Sequence, residues 1–162
     1  MDAKPEMMAA QLIDVCRKKN FTVATAESCT AGGVAARIAS VPGASDVLRG
    51  GIVSYAESAK RELLGVSAEI LEQHGAVSAE CAKAMAAGAR KALNCDYAVS
   101  VTGFAGPGGG TENDPVGTVY IAVSTPQGEK SRRMSFDGNR QTVMNLAVEL
   151  AVVMLLAAVV HS

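Results

Sequence analysis

The chain has 162 residues, 49% of them apolar, which suits one domain with a sizeable core. Fifteen basic residues against sixteen acidic ones give a net charge of -1, without the basic bias of a nucleic-acid-binding protein. Four cysteines with no C-x-x-C pair, and two histidines without a neighbour at metal spacing, argue against a structural zinc site.

In chain order, Met8, Leu12, Val15 and Cys16 predict an amphipathic first helix, with Asp14, Arg17 and Lys18 facing away. A strand over 21–26 follows, then a helix after Thr30 that Pro42 and Gly43 end. A second strand is predicted at 51–55, then a helical segment from Ala56 that Gly65 stops. Ser67 caps a short helix at 68–73, which His74 and Gly75 end. Ser78 caps a longer one, with Glu80 near its positive N-terminus and Cys81, Met85, Ala89 and Leu93 on its inner face. The strand 97–102 has small residues and is expected at the sheet centre. A glycine-rich loop spans 103–115. Strands at 117–123 and 131–136, joined by a turn at Pro126, Gln127 and Gly128, form a hairpin, and Asn139 caps the final helix.

This order, α-β-α-β-α-α-α-β-β-β-α, predicts a single three-layer α/β/α domain. Its mixed, mainly parallel five-stranded sheet carries the hairpin in the C-terminal half. Trp is absent and aromatics are scarce, so the core must be aliphatic and rich in Ala and Gly. The apolar run 150–160 is shorter than the ~20 residues that cross a bilayer, and Glu149 interrupts it upstream. No membrane is therefore expected, and either a core helix or a homo-oligomer interface fits the run. The scattered thiols and the lack of a signal peptide point to the cytoplasm.

The chemistry gathers at predicted strand ends, the edge where open α/β sheets bind ligands. Glu27, Ser28, Cys29 and Thr30 crowd the turn between the first strand and the second helix, beside free backbone amides. Such a turn can hold an anion or attack a carbonyl. Ser28 is a candidate nucleophile, or a helix cap. Cys29 is a rival nucleophile, or a small buried residue. Lys60 is the candidate base, or a solvated surface lysine. As a base it must be neutral, and lowering its pKa from about 10.4 to about 7.5 takes roughly 4 kcal/mol. Tyr55 can hydrogen-bond either group and relay a proton, or stand as a strand-end aromatic with a wet hydroxyl. Thr102 ends the central strand and can offer its hydroxyl to the same site. In the run 103–110, Gly103, Ala105, Gly106, Gly108 and Gly109 let backbone amides approach an anion. This is neither a Walker loop nor a G-x-G-x-x-G fingerprint. Arg140 opens the final helix, where a cation is locally unfavourable; phosphate binding would explain it, as would plain exposure.

These motifs, Thr25-Ala26-Glu27-Ser28-Cys29-Thr30-Ala31-Gly32-Gly33, Val53-Ser54-Tyr55-Ala56-Glu57-Ser58-Ala59-Lys60, His74-Gly75-Ala76-Val77-Ser78, Thr102-Gly103-Phe104-Ala105-Gly106-Pro107-Gly108-Gly109 and Pro115-Val116-Gly117-Thr118-Val119, resemble the CinA C-terminal family across nearly the whole chain. The resemblance implies a three-layer α/β/α fold. It also implies a nicotinamide-nucleotide amidase, which hydrolyses nicotinamide mononucleotide to nicotinic acid mononucleotide and ammonia. It makes Ser28 the nucleophile and Lys60 its base, and places Tyr55, Thr102 and Arg140 in the same pocket. One amidohydrolase domain over 1–162 is expected, without the molybdopterin-protein-like domain that precedes it in many members. The implied partner is a small-molecule pyridine mononucleotide, with no metal, cofactor or nucleic acid. The alternative is a non-catalytic nucleotide-binding or regulatory protein linked to competence or DNA damage. Two residues depart from the pattern. Ala31 stands where Gly is frequent, expected as a minor packing change, and Asp114 stands where Lys is common, which touches phosphate contacts.

Overall fold

The computed structural model describes residues 5–162, and the first four residues of the expected domain lie outside them. Strand β1 (Val23–Glu27) is buried throughout. Parallel neighbours flank it on both sides, β2 (Leu48–Val53) and β3 (Tyr97–Gly103). β4 (Thr118–Thr125) runs antiparallel to β3, and β5 (Gly128–Ser135) antiparallel to β4. The order is β2-β1-β3-β4-β5, and β4 alone is reversed.

Helices α1 (Pro5–Lys19), α2 (Gly33–Ala39) and α6 (Arg140–Val160) cover one face of the sheet. Branched side chains fill that layer, with Val23, Val99, Val101 and Ile121 of the strands meeting Leu12, Ile38, Val152 and Leu155 of the helices. The opposite face carries α3 (Glu57–Leu64), α4 (Ala68–His74) and α5 (Ala79–Ala92). There the strands present Ala24, Ala26, Ala98 and Ala122, against Cys81, Ala82, Met85, Ala86 and Ala89 of α5. Period-2 alternation thus sorts large side chains to one layer and small ones to the other. The small face lets α5 lie close enough for the Ser100 hydroxyl to donate to the Ala82 carbonyl. Gly88 continues this close packing. A Cβ there would overlap the Leu64 carbonyl at the end of α3, so the missing methyl sets how near α3 rides to α5.

Strand boundaries depart most from the sequence expectation at β2 and β5, and by one or two residues at β1, β3 and β4. β2 begins at Leu48 and ends at Val53, leaving Ser54 and Tyr55 past its end. It is an edge strand whose Gly50 and Gly51 obscure any period. β5 begins at Gly128 rather than residue 131, because a mostly exposed, charged edge strand needs no apolar alternation. The final helix is also longer than its apolar run. At 21 residues it is long and apolar enough to cross a membrane by length and composition. Its Val143, Ala147, Ala151, Val152, Leu155 and Val159 are nevertheless buried in the core of the domain.

Candidate active site

Parallel strands in register bring their carboxyl ends to one edge. Glu27 pairs with Val53 on one side and Val101 on the other. The next residue on each strand follows suit: the Ser28 amide donates to the Val101 carbonyl at 2.9 Å, and the Ser54 amide to the Glu27 carbonyl at 2.8 Å. Ser28, Ser54 and Thr102 are therefore fixed side by side. β5 points the same way as β1, so α6 starts at this edge too, with Arg140 as its first residue.

Lys60 stands on α3 and is only 2% exposed. Its Nζ lies 2.9 Å from Ser28 Oγ, 2.8 Å from the Ser54 carbonyl and 3.2 Å from the Tyr55 carbonyl. An ammonium donates to all three. A neutral amine keeps its two N–H bonds on the carbonyls and turns its lone pair to Ser28, whose hydroxyl then donates. Burial holds the Lys60 pKa below its usual 10.5, against the opposing pull of the Cys81 thiol, Glu57 and the Cys29 thiol. No carboxylate lies within ion-pair distance of Nζ among the described residues. Cys29 is buried beside Ser28, and burial pushes its thiol up to about 11. It stays protonated near neutrality, so of the two candidates Ser28 is the one with a base in reach.

Glu27 and Thr30, expected to contact substrate, face inward instead. The Glu27 carboxylate is fully buried and accepts four hydrogen bonds, from the Thr30 hydroxyl (2.7 Å), the Thr25 hydroxyl (3.1 Å) and the amides of Val34 (2.8 Å) and Ala35 (3.0 Å). It caps α2 from within, so the first amides of that helix are not available to an oxyanion. Among the described residues the amides of Cys29 and Thr30, in the turn before it, have no backbone acceptor. Ala31 in that turn has φ 49°, a left-handed conformation, so its departure from glycine is a backbone matter and not one of packing.

A cleft of about 420 Å³ opens beside Ser28 and Lys60. Cys29, Tyr55, Thr102, Gly103, Ala105, Gly106, Gly108 and Arg140 line it, whereas Glu27, Thr30 and Gly109 do not. Arg140 donates to the Gly106 carbonyl and to the Tyr55 hydroxyl, each at 2.8 Å, tying α6, the glycine loop and the end of β2 together. Tyr55 thus meets Lys60 through its main-chain carbonyl, while its ring, 57% exposed, is held by Arg140. The Thr102 hydroxyl donates to the Ala76 carbonyl at 2.8 Å, which fixes the loop between α4 and α5 against the cleft and directs its proton away from Ser28. Gly106 has φ 87°, and a Cβ there would strike Val116. Its amide and those of Ala105 and Gly108 have no acceptor among the described residues. Asp114 lies outside the cleft, where it accepts from Tyr120 (2.8 Å) and Arg133 (3.1 Å). The sequence reading missed Ala56, Glu57, Ala76, Val77 and Phe104, which also line the cleft. For Glu57 a signal was present: it precedes Lys60 by three residues, hence one helical face.

Residues 5–159 match the CinA C-terminal domain. The chain belongs to that family. The CinA-like protein of Mycolicibacterium paratuberculosis is 51% identical over 134 residues, covering 80% of this chain and 31% of that protein. The CinA-like protein of Myxococcus xanthus is 47% identical over 152 residues, covering 93% and 36%. The chain spans about a third of the length of these curated relatives. Among solved structures, the competence/damage inducible protein CihA from Agrobacterium tumefaciens superposes with a TM-score of 0.92 at 38% identity, over 97% of this chain and 96% of that one. A CinA superfamily protein from Klebsiella pneumoniae superposes with a TM-score of 0.94 at 31% identity, over 99% and 100%. The mixed five-stranded sheet with helices on both faces is thus the fold of the CinA superfamily.

Proposed function

We propose that this chain is an amidohydrolase that cleaves the carboxamide of a pyridine mononucleotide, nicotinamide mononucleotide, to the acid and ammonia. The observation that carries the reading is the buried Lys60 amine, held by two carbonyls 2.9 Å from the Ser28 hydroxyl. Neutral Lys60 takes the Ser28 proton as Oγ bonds to the carboxamide carbon. The free amides of Cys29 and Thr30 receive the oxyanion. Lys60 returns the proton to the amide nitrogen, the C–N bond breaks and ammonia leaves. Water then adds to the acyl-serine, giving its proton to Lys60, and as the second intermediate collapses Lys60 passes that proton to Ser28 Oγ, releasing the carboxylic acid and restoring the serine and the neutral amine. The glycine-loop amides and Arg140 take the 5′-phosphate. The reading places the protein in the cytoplasm, working on a small molecule without metal or nucleic acid.

Ammonia release from nicotinamide mononucleotide tests it. The wild type is expected to turn over, and Ser28→Ala and Lys60→Met to lose at least about a thousandfold in kcat. Folding of Lys60→Met is expected to hold, since an apolar chain replaces a buried amine. Full activity in Ser28→Ala would sink the mechanism. An inactive wild type that binds the mononucleotide would favour the non-catalytic alternative.

A further inference from the structure

Three charged side chains line the cleft: Lys60, Arg140 and Glu57. The first two have stated contacts, but Glu57 has no ion-pair or hydrogen-bond partner among the described residues. It stands at the first position of α3, three residues before Lys60 and on the same side of the helix. A carboxylate suits a helix N-terminus, and α3 has no side-chain cap, so part of its role is local. It does not suit the neighbouring base, because its field favours protonated Lys60 and opposes what burial achieves. Exposed at the rim of the cleft, which it shares with a neighbouring groove beside Arg61, and with no cation paired to it among the described residues, this acid is placed to face a cationic ligand.

Resting on the amidase reading above, we propose that Glu57 is a specificity determinant that selects a carboxamide carried on a cationic ring. The cleft is then polar in the electrical sense. Glu57 takes the positively charged pyridinium, and Arg140 with the glycine loop takes the phosphate. The substrate class is a zwitterion, a pyridinium mononucleotide, in preference to a neutral-ring amide of the same shape. The bound ring's charge offsets the field of Glu57 on Lys60, so the carboxylate that hinders the base in the empty cleft ceases to do so when the right ring arrives.

The test measures kcat/KM for nicotinamide mononucleotide and for its reduced form, whose dihydropyridine ring is neutral, in wild type, Glu57→Gln and Glu57→Asp. The intrinsic reactivities of the two amides cancel when the ratio of the two constants is compared between proteins. Glu57→Gln is expected to lower the ratio about fivefold, mainly through KM for the cation, and Glu57→Asp to restore part of it. Rising salt is expected to shrink the wild-type preference and leave that of Glu57→Gln unchanged. An equal loss for both substrates, the pattern of a helix-start residue alone, would overturn the inference while leaving the amidase reading intact. A wild type that hydrolyses neither compound fails the amidase reading instead. Binding to that inactive protein then decides the matter: equal affinity for the oxidised and reduced mononucleotides overturns the role of Glu57, and tighter binding of the cation that Glu57→Gln abolishes supports it.

Discussion

Among the helices that begin at the edge where the cleft lies, α2 and α6 have starts wired in opposite ways. The N-terminus of α2 is closed by the buried Glu27, whose oxygens take the Val34 and Ala35 amides. The N-terminus of α6 carries Arg140, a cation added to the positive end of a helix, with Asn139 capping only the Thr142 amide. The difference assigns chemistry by position. Beside Ser28 the helix field is cancelled, which leaves a site fit for a neutral carboxamide and a neutral amine. Beside Arg140 the field is reinforced, which suits an anion.

Protonation separates the two ends most strongly. Lys60 has a lowered pKa, so acid is expected to remove catalysis before it removes binding of the mononucleotide. Below the Lys60 pKa, kcat should fall about tenfold per pH unit, while KM follows no such limb. A pH-independent kcat would break the assignment of the base. Folding follows the same sign. Between the lowered pKa and 10.5 the unfolded chain holds a proton that the folded chain does not, so stability rises with pH across that window.

Glu27→Gln attacks the closed end. Its amide group would set a donor against buried donors, and unfolding by denaturant should show a loss of about 3 kcal/mol. A loss below about 0.5 kcal/mol would mean that the cap is dispensable. Arg140→Gln attacks the open end, with KM for the mononucleotide expected to rise about tenfold and kcat to change little. The phosphate-free riboside should show no such rise, and equal losses for both would remove Arg140 from phosphate recognition. The smallest effect is expected from Ala31→Gly in the nucleophile turn. Relief of the left-handed alanine should add about 0.5–1 kcal/mol of stability, read as a small upward shift in Tm.

Ser28, Lys60 and the glycine loop were legible in the sequence because each sits just past a strand whose composition announces it. Strand ends collect at one edge in this class of fold, so linear order was enough to group them. Glu27 was legible as a residue but not as a role. Its partners lie seven and eight positions on, across a turn that only the folded chain closes. The Tyr55 to Arg140 contact joins residues 85 apart, and no local pattern encodes it. Tyr55 also shows that a residue can be placed correctly and still act through a different atom, since its carbonyl touches Lys60 and its hydroxyl does not. Thr102 was expected to offer its hydroxyl to the site; it lines the cleft, but its hydroxyl donates to the Ala76 carbonyl, a distinction that depends on rotamer rather than on sequence. The beginnings of β2 and β5 were missed because edge strands are half-solvated and lack the apolar alternation that marks buried ones.

Gly88 lies along α5 beyond the helix start at the cleft, yet it bears on the reach of Lys60. α3 carries Lys60 and rests on α5 where Gly88 meets the Leu64 carbonyl. A side chain at position 88 would push α3 outward and lengthen the 2.9 Å contact between Lys60 and Ser28, so that contact depends on a packing detail that neither residue touches.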